Sequence, residues 1–159
     1  MNIHVDFDAM GAIHAIETVG LHRTRTAIRR ALLESCRLVQ REARSRHRFI
    51  PRTGALEREI VYGANLEGRI YFQMRRAPYA PFVHEPTGTH GPKASRYPIR
   101  PKRKKALCWA SNGQLHFARL VMHPGSPADR FLYEAADRSK TRITAIFDRH
   151  IEAATRGGP

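Results

Sequence analysis

The chain has 159 residues, of which 42% are hydrophobic, so it suits one domain, or one domain with an extended arm, and is not a wholly disordered polypeptide. It carries 28 Lys and Arg against 14 Asp and Glu, a formal net charge of +14, and such a surface attracts polyanions and acidic partners without specifying either. No segment approaches the roughly 18 apolar residues of a membrane span, and residues 1–9 show no apolar signal core.

The N-terminal part predicts a strand and a long basic helix. Residues 1–22 are expected to form an arm or strand, because apolar and polar residues alternate at Ile3, Val5 and Phe7, although residues 8–22 leave helix and loop open. A helix is predicted from Arg23 to His47, since apolar residues recur at three- and four-residue spacing. Its other faces are rich in Arg, and they are either a solvated surface or a face that meets an acidic partner or DNA.

Two hairpins are predicted further along. After a turn at Thr53-Gly54, the segments Leu56–Tyr62 and Ile70–Met74 are expected to pair across a loop at Gly63–Gly68. A second hairpin is expected to pair a strand at Ala106–Ala110 with a return strand at Phe117–Val121. Its turn is Asn112-Gly113, a dipeptide that favours the tight turns of hairpins.

Residues 86–105 predict an exposed basic loop between the two hairpins. They contain no acidic residue, and they include Pro86, Gly88, Gly91, Pro92, Pro98 and Pro101. Proline and glycine interrupt regular structure, and like charges repel. The candidate interface or DNA-facing residues are the cations of this loop, namely Lys93, Arg96, Arg100, Lys102, Arg103, Lys104 and Lys105.

The last element is a helix that reaches about residue 154, with Ser126 or Asp129 as its expected cap. The fold class is therefore predicted as α+β: a long N-terminal helix, an antiparallel sheet of four or five strands, and a C-terminal helix packed on the sheet. Residues 23–155 are expected to form a single domain, followed by a frayed tail at 156–159.

The expected interior follows from residue type. Large aromatic side chains supply much of the burial in a small domain, so the predicted core includes Tyr79, Phe82, Trp109, Phe117 and Phe131. The cysteines give neither a disulfide framework nor a zinc spacing, so buried free thiols are predicted at Cys36 and Cys108. Turns that need backbone freedom are expected at Gly54, Gly88 and Gly125.

The order of several short motifs resembles one protein family. The series begins with Pro51-Arg52-Thr53-Gly54-Ala55-Leu56 after the basic helix, and continues with Tyr79-Ala80-Pro81-Phe82-Val83-His84-Glu85 and Thr87-Gly88-Thr89. It ends with Ile99-Arg100-Pro101-Lys102, Lys105-Ala106-Leu107-Cys108-Trp109, His123-Pro124-Gly125 and Arg130-Phe131-Leu132-Tyr133-Glu134-Ala135. Over residues 28–155 this series resembles the HK97 gp10-like family of phage neck and tail-completion proteins. The segment Glu85-Pro86-Thr87-Gly88-Thr89 is longer than the pattern of that family.

The resemblance implies a non-enzymatic structural protein of a tailed-phage virion, at the junction of head and tail. Its implied assembly is a homo-oligomeric ring, a hexamer or a dodecamer, around the channel through which genomic DNA passes. The implied neighbours are head-closure or connector proteins and tail-tube or tail-terminator proteins. The implied location is the neck or tail top of the virion, and the host cytoplasm during assembly, without membrane contact.

Other functions have weaker support in the residues. The nine histidines lack any metal-ligand spacing, and the few acids are scattered, so no metal, cofactor or catalytic site is predicted. A nucleic-acid-binding module is the main alternative, because of the net charge and the basic loop, although no helix-turn-helix, zinc-finger or RNA-recognition motif is present. A small basic ribonuclease of the toxin type is a further alternative.

Overall fold

The structure is a computed structural model that describes residues 4–7, 21–65 and 67–156. Its elements, in chain order, are β1 (His4–Phe7), α1 (Leu21–Ser45), α2 (Ala55–Glu59), β2 (Ile60–Ala64), β3 (Gly68–Phe72), α3 (Ala80–His84), a 3₁₀ turn (Gly88–His90), β4 (Tyr97–Ile99), β5 (Leu107–Ser111), β6 (Gln114–Ala118), β7 (Val121–His123) and α4 (Phe131–Arg156). The chain forms two compact units, the first drawn from Met1–Pro81 and Arg130–Pro159 and the second comprising Phe82–Asp129. In sequence, the second unit is inserted between the two segments of the first.

The first unit is organised around α1, whose apolar stripe is buried along its length. Ile28, Leu32 and Val39 are all buried, whereas the Arg residues of the other faces are exposed. Ala64 of β2 and Phe147 of α4 pack against Ile28 and Leu32. The amphipathic spacing in the sequence therefore places the helix correctly, with its ends two residues earlier than predicted.

The two long helices of the first unit run antiparallel and are joined by ion pairs from the middle of α1 to just beyond its C-terminal end. Glu34 of α1 pairs with Arg149, and Glu42, further along α1, pairs with Arg142, which is earlier on α4. Arg48, just beyond α1, pairs with Glu134 in the first turn of α4. As the residue numbers increase along α1, those of their partners on α4 decrease, which is the pattern of an antiparallel pair.

A three-stranded antiparallel sheet in the order β1-β3-β2 completes the first unit. Ile60 lies opposite Phe72 and Val5 opposite Ile70. The buried carboxylate of Glu59 accepts a hydrogen bond from the Arg75 backbone at 2.8 Å, so the chain after β3 is tied back to the start of β2. The predicted first hairpin is confirmed, except that Leu56 lies in a helical turn and Gly63 within the strand.

Aromatic rings fill the interior where α4 begins. Phe131 is fully buried, and its ring centroid lies 5.2 Å from that of Phe49 and 5.8 Å from that of Phe72, both in edge-on geometry. Such arrangements are the favoured ones for aromatic pairs, because the positive edge of one ring meets the negative face of another. Phe131 therefore packs the start of α4 against the sheet.

The second unit consists of two small antiparallel sheets, β4-β7 and β5-β6. The α+β class, the long N-terminal helix and the C-terminal helix packed on the strands are confirmed. The strands, however, are distributed over three small sheets instead of one sheet of four or five. The proline-rich residues 86–105 supply one strand, the three-residue β4, which pairs with β7, together with the 3₁₀ turn. The predicted strand Phe117–Val121 divides into β6 and β7.

The start of α4 lies well after one of its two expected caps. α4 begins at Phe131, and Ser126 lies several residues before it, bonded to Thr87, so the prediction of a Ser126 cap is wrong. Leu66 and the parts of the arm and tail at residues 1–3, 8–20 and 157–159 lie outside the described residues.

Candidate interaction surface

The second unit buries no apolar side chain. Within Phe82–Asp129, all of which the structure describes, only His84 and Asp129 are buried, and both are polar. The apolar core of the protein is drawn from the other unit, through α1, β2, β3 and α4. A compact unit without a buried apolar residue leaves its hydrophobic side chains at the surface, and contiguous surfaces of that kind mark sites of association.

Four of the five aromatic residues predicted to lie in the core are exposed. Phe131 alone is buried, whereas Tyr79, Phe82, Trp109 and Phe117 all lie at the surface, with exposures of 46%, 64%, 41% and 68%. Cys108 is exposed as well, so the prediction of a buried thiol is correct for Cys36 and wrong for Cys108. Strand-like alternation cannot show whether the apolar face of a strand meets the chain's own core or solvent.

The hairpin of β5 and β6, hereafter the uncharged hairpin, is the most exposed apolar element. Residues 106–118 contain no Asp, Glu, Lys or Arg. Cys108 lies opposite Phe117 and Ala110 opposite Leu115, so these four side chains share one face, because side chains alternate along each strand. All four are exposed, and Leu115 is 66% exposed.

The other face of the uncharged hairpin is more sheltered. Trp109 stacks on His116, its cross-strand partner, with 5.4 Å between the ring centroids. Leu107 and Ala118 are half-buried on that face. The turn has Asn112 and Gly113 at φ values of 52° and 77°, the two left-handed positions that the Asn-Gly dipeptide supplies, so the predicted hairpin turn is confirmed.

A groove in the second unit lies between its loops and β4. It encloses about 530 Å³, within the range of roughly 300–1,000 Å³ that binding clefts occupy. Its lining includes the rings of Phe82 and Tyr97 and the prolines Pro86 and Pro92, and its one charged residue is Lys93.

The wall of this groove depends on a close crossing of two backbone segments. Gly88 and Gly125 have φ values of +60° and +87°, as predicted for turn glycines. A Cβ on Gly88 would lie 2.2 Å from the carbonyl oxygen of Pro124. The crossing is held by the amide of Thr89, which donates to the Pro124 carbonyl at 2.7 Å, and by the amide of Thr87, which donates to the Ser126 carbonyl at 2.9 Å.

Every predicted interface residue of the basic loop at residues 86–105, hereafter the basic segment, is exposed. None forms an ion pair with any acid that the structure describes, which leaves their charges available to a partner. The segment is irregular apart from the 3₁₀ turn and β4 and lies directly before the uncharged hairpin. The residues concerned are Lys93, Arg96, Arg100, Lys102, Arg103, Lys104 and Lys105.

Several acids of the first unit, by contrast, are engaged with arginines. The Arg149 guanidinium donates to Glu34 at 2.6 Å and lowers the pKa of that carboxyl, with a further contribution from His150 at 2.9 Å. The bond from Arg142 to Glu42, at 2.7 Å, likewise lowers the pKa of Glu42. These bonds join α1 to α4 through acidic residues of α1 and arginines of α4.

In residues 4–7, 21–65 and 67–156, no three His, Cys, Asp or Glu side chains are grouped so that they could hold a metal ion. His123 ends β7, where its Nδ1 accepts a hydrogen bond from the Gly125 amide at 2.9 Å. The helices of these same ranges include none that is long and apolar enough to cross a membrane.

Comparisons with known proteins add no relative. No family model, no curated protein and no solved structure matches this chain. The geometry of the second unit and the order of the sequence motifs are therefore the observations on which a function must rest.

Proposed function

We propose that this protein is a structural subunit of a tailed-phage virion, at the head–tail junction, where copies of it form a ring around the DNA channel. The observation that carries the proposal is the second unit, which buries no apolar residue and exposes an uncharged hairpin on a chain of charge +14. A two-stranded hairpin is at best marginally stable alone. Such a unit is suited to a role in which other protein surfaces cover it.

The positions of the family-like motifs support the same function. Thr87-Gly88-Thr89 and His123-Pro124-Gly125 are far apart in sequence, yet they form the backbone crossing beside the groove. Thr53-Gly54-Ala55-Leu56 begins α2, and Arg130-Phe131-Leu132 begins α4. These four motifs thus occupy a turn, a crossing or a helix start, where chain geometry restricts the residue type.

The partners in this proposal are further copies of the chain in a hexameric or dodecameric ring, the adjoining head-closure or connector protein, and a tail-tube or tail-terminator protein. The subunit acts without a cofactor and without catalysis. The exposed cations at 93–105 face acidic patches of adjoining proteins or the phosphates of the passing DNA. The chain is made in the host cytoplasm and ends in the virion.

The test is the composition and assembly of particles. Deletion of the gene from the phage or prophage that carries it is expected to give DNA-filled heads and separate tails that fail to join. Particle imaging should place about six or twelve copies at the neck of intact virions, because rings of this kind close by rotation. Intact infectious particles without the chain would overturn the proposal.

A nucleic-acid-binding module is the second candidate, and the unpaired cations of the basic segment favour it. Its signature is a steep loss of affinity with salt, since each phosphate contact releases counterions. A variant with Lys102, Arg103, Lys104 and Lys105 changed to Ala should lose DNA affinity and salt dependence together if DNA is the partner. The junction role predicts instead that this variant binds adjoining neck proteins less well.

A further inference from the structure

We propose that the apolar face of the uncharged hairpin of one copy docks into the groove beside Phe82 and Tyr97 of the next copy. This inference rests on the proposed ring and specifies the contact that builds it. The occupant of the groove is a second copy of this chain, and the two contacting surfaces are different patches. Such a heterologous contact generates a ring or a filament, whereas a patch that meets itself closes a dimer.

Charge argues for this pairing. Two chains of charge +14 repel each other wherever their cations approach. Residues 106–118 carry no formal charge, and the lining of the groove carries only Lys93, so the two contacting surfaces themselves bring one cation into the contact, while Lys105 and Arg119 flank the base of the hairpin. A nucleic acid would be bound by cations, and the apolar face of the hairpin has none.

The shape and the apolar lining of the groove also suit the exposed face of the hairpin. Phe117 and Leu115 stand on one side of a narrow two-stranded ribbon, and each is about two-thirds exposed. The groove offers two aromatic rings and two prolines around a volume of about 530 Å³, which has room for side chains of this size. Aromatic side chains seated in apolar clefts are the usual anchors of protein interfaces.

The aromatic area of this contact is small compared with that of a stable interface. An aromatic side chain presents about 150–250 Å². The exposed fractions of Phe117 and Phe82, 68% and 64%, therefore correspond to about 200–330 Å² of aromatic surface in the two partners together. A stable interface buries roughly 1,200–2,000 Å² in total. The contact is thus an anchor, and we expect weak association in dilute solution that strengthens when each subunit makes two such contacts in a closed ring.

The decisive experiment uses complementary variants of the full chain in sedimentation and native mass spectrometry. Phe117→Asp removes the hairpin anchor and leaves the groove, whereas Phe82→Asp alters the groove and leaves the hairpin. Both side chains are exposed, so both variants should fold. Each variant alone should associate roughly 100-fold more weakly than the wild type. A mixture of the two should form one-to-one heterodimers and nothing larger, because only one intact hairpin and one intact groove remain.

Gln114→Asp is the matched control. Gln114 lies on the same strand as Phe117, on the opposite face of the hairpin, and is exposed too. This variant should associate like the wild type. Equal loss in Gln114→Asp and Phe117→Asp would overturn the assigned face, and association that survives Phe82→Asp would overturn the groove as the receptor and indicate hairpin-to-hairpin pairing.

A second measurement applies in assembled particles. Ser95 lines the groove and Cys108 lies on the hairpin face, so oxidation of the Ser95→Cys variant should give a ladder of covalent oligomers that disappears when Cys108→Ser is added. Virions that contain the ring but give no ladder would overturn this contact and leave the junction role standing. Absence of the chain from virions would remove the proposed function itself, and transfer of the crosslink to a different virion protein would replace the second copy as occupant.

Discussion

The crossing of Gly88 over Pro124 permits a quantitative test of how the second unit is held together. Replacement of Gly88 by Ala would put a Cβ 2.2 Å from a backbone oxygen, a separation that the two loops can relieve only by moving apart. Gly113 in the hairpin turn is the matched control. It also has a positive φ, of 77°, but a Cβ there would meet nothing within 4 Å.

The expected magnitudes follow from the two geometries. A left-handed backbone costs a residue with a Cβ roughly 1–2 kcal/mol, and both variants bear that cost. Separation of the loops in Gly88→Ala also weakens the amide bonds of Thr87 and Thr89 across the crossing, at about 0.5–1.5 kcal/mol each. We therefore expect a loss of about 2–5 kcal/mol for Gly88→Ala and about 1–2 kcal/mol for Gly113→Ala. In a chain of this size, each kcal/mol lowers the melting temperature by roughly 2–4 °C.

Thermal unfolding followed by tryptophan fluorescence reports on the relevant region, because the one tryptophan of the chain, Trp109, lies on the hairpin of the second unit. Far-UV circular dichroism, dominated by α1 and α4, reports on the first unit in the same samples. Gly88→Ala should shift the fluorescence transition more than Gly113→Ala does. Equal shifts for the two variants would refute the argument that close backbone approach, beyond the φ angle, requires glycine at position 88.

Three further predictions concern the first unit and the thiols. Phe131→Ala should lower the free energy of unfolding in urea by about 3–5 kcal/mol, since this ring is fully buried among aromatic neighbours, and a loss below 1 kcal/mol would contradict that packing. The pKa values of Glu34 and Glu42 are lowered from 4.5, so their contribution is fully present above pH 4.5 and is lost as the pH falls through the lowered values. Urea titrations against pH should show that decline, and a Glu34→Gln, Glu42→Gln variant should show less of it. A thiol reagent should modify Cys108 rapidly and Cys36 only after unfolding, because burial raises the pKa of the Cys36 thiol to about 11; two fast thiols would contradict this.

The sequence predicts the first unit well, because its signals are local. Ile28, Leu32 and Val39 repeat at helical spacing, and that spacing is decided by the helix alone. The strand around Ile70 alternates with exposed neighbours, and the structure buries the alternate positions as expected. In both elements the side that carries apolar residues is also the side that the chain covers.

The second unit could be predicted only in outline. Residue type alone predicts the Asn112-Gly113 turn and the basic character of residues 86–105. All seven predicted cations are exposed. The exposure of Phe117 could not be predicted, because apolar and polar residues alternate in the same way in a strand that the chain covers and in a strand that stays exposed. The missing signal was the run of uncharged residues at 106–118 beside a cluster of cations, which is unusual for a strand that lies at the surface.

The antiparallel pairing of α1 with α4 has a consequence for synthesis on the ribosome. Between Ser45, where α1 ends, and Phe131, where α4 begins, the ribosome must add residues 46–130, the whole second unit included. At about 5–20 residues per second, this takes roughly 4–17 seconds. For that interval the nascent α1 lacks the helix that later covers it, so its apolar stripe stays exposed, and truncation before α4 should yield insoluble product.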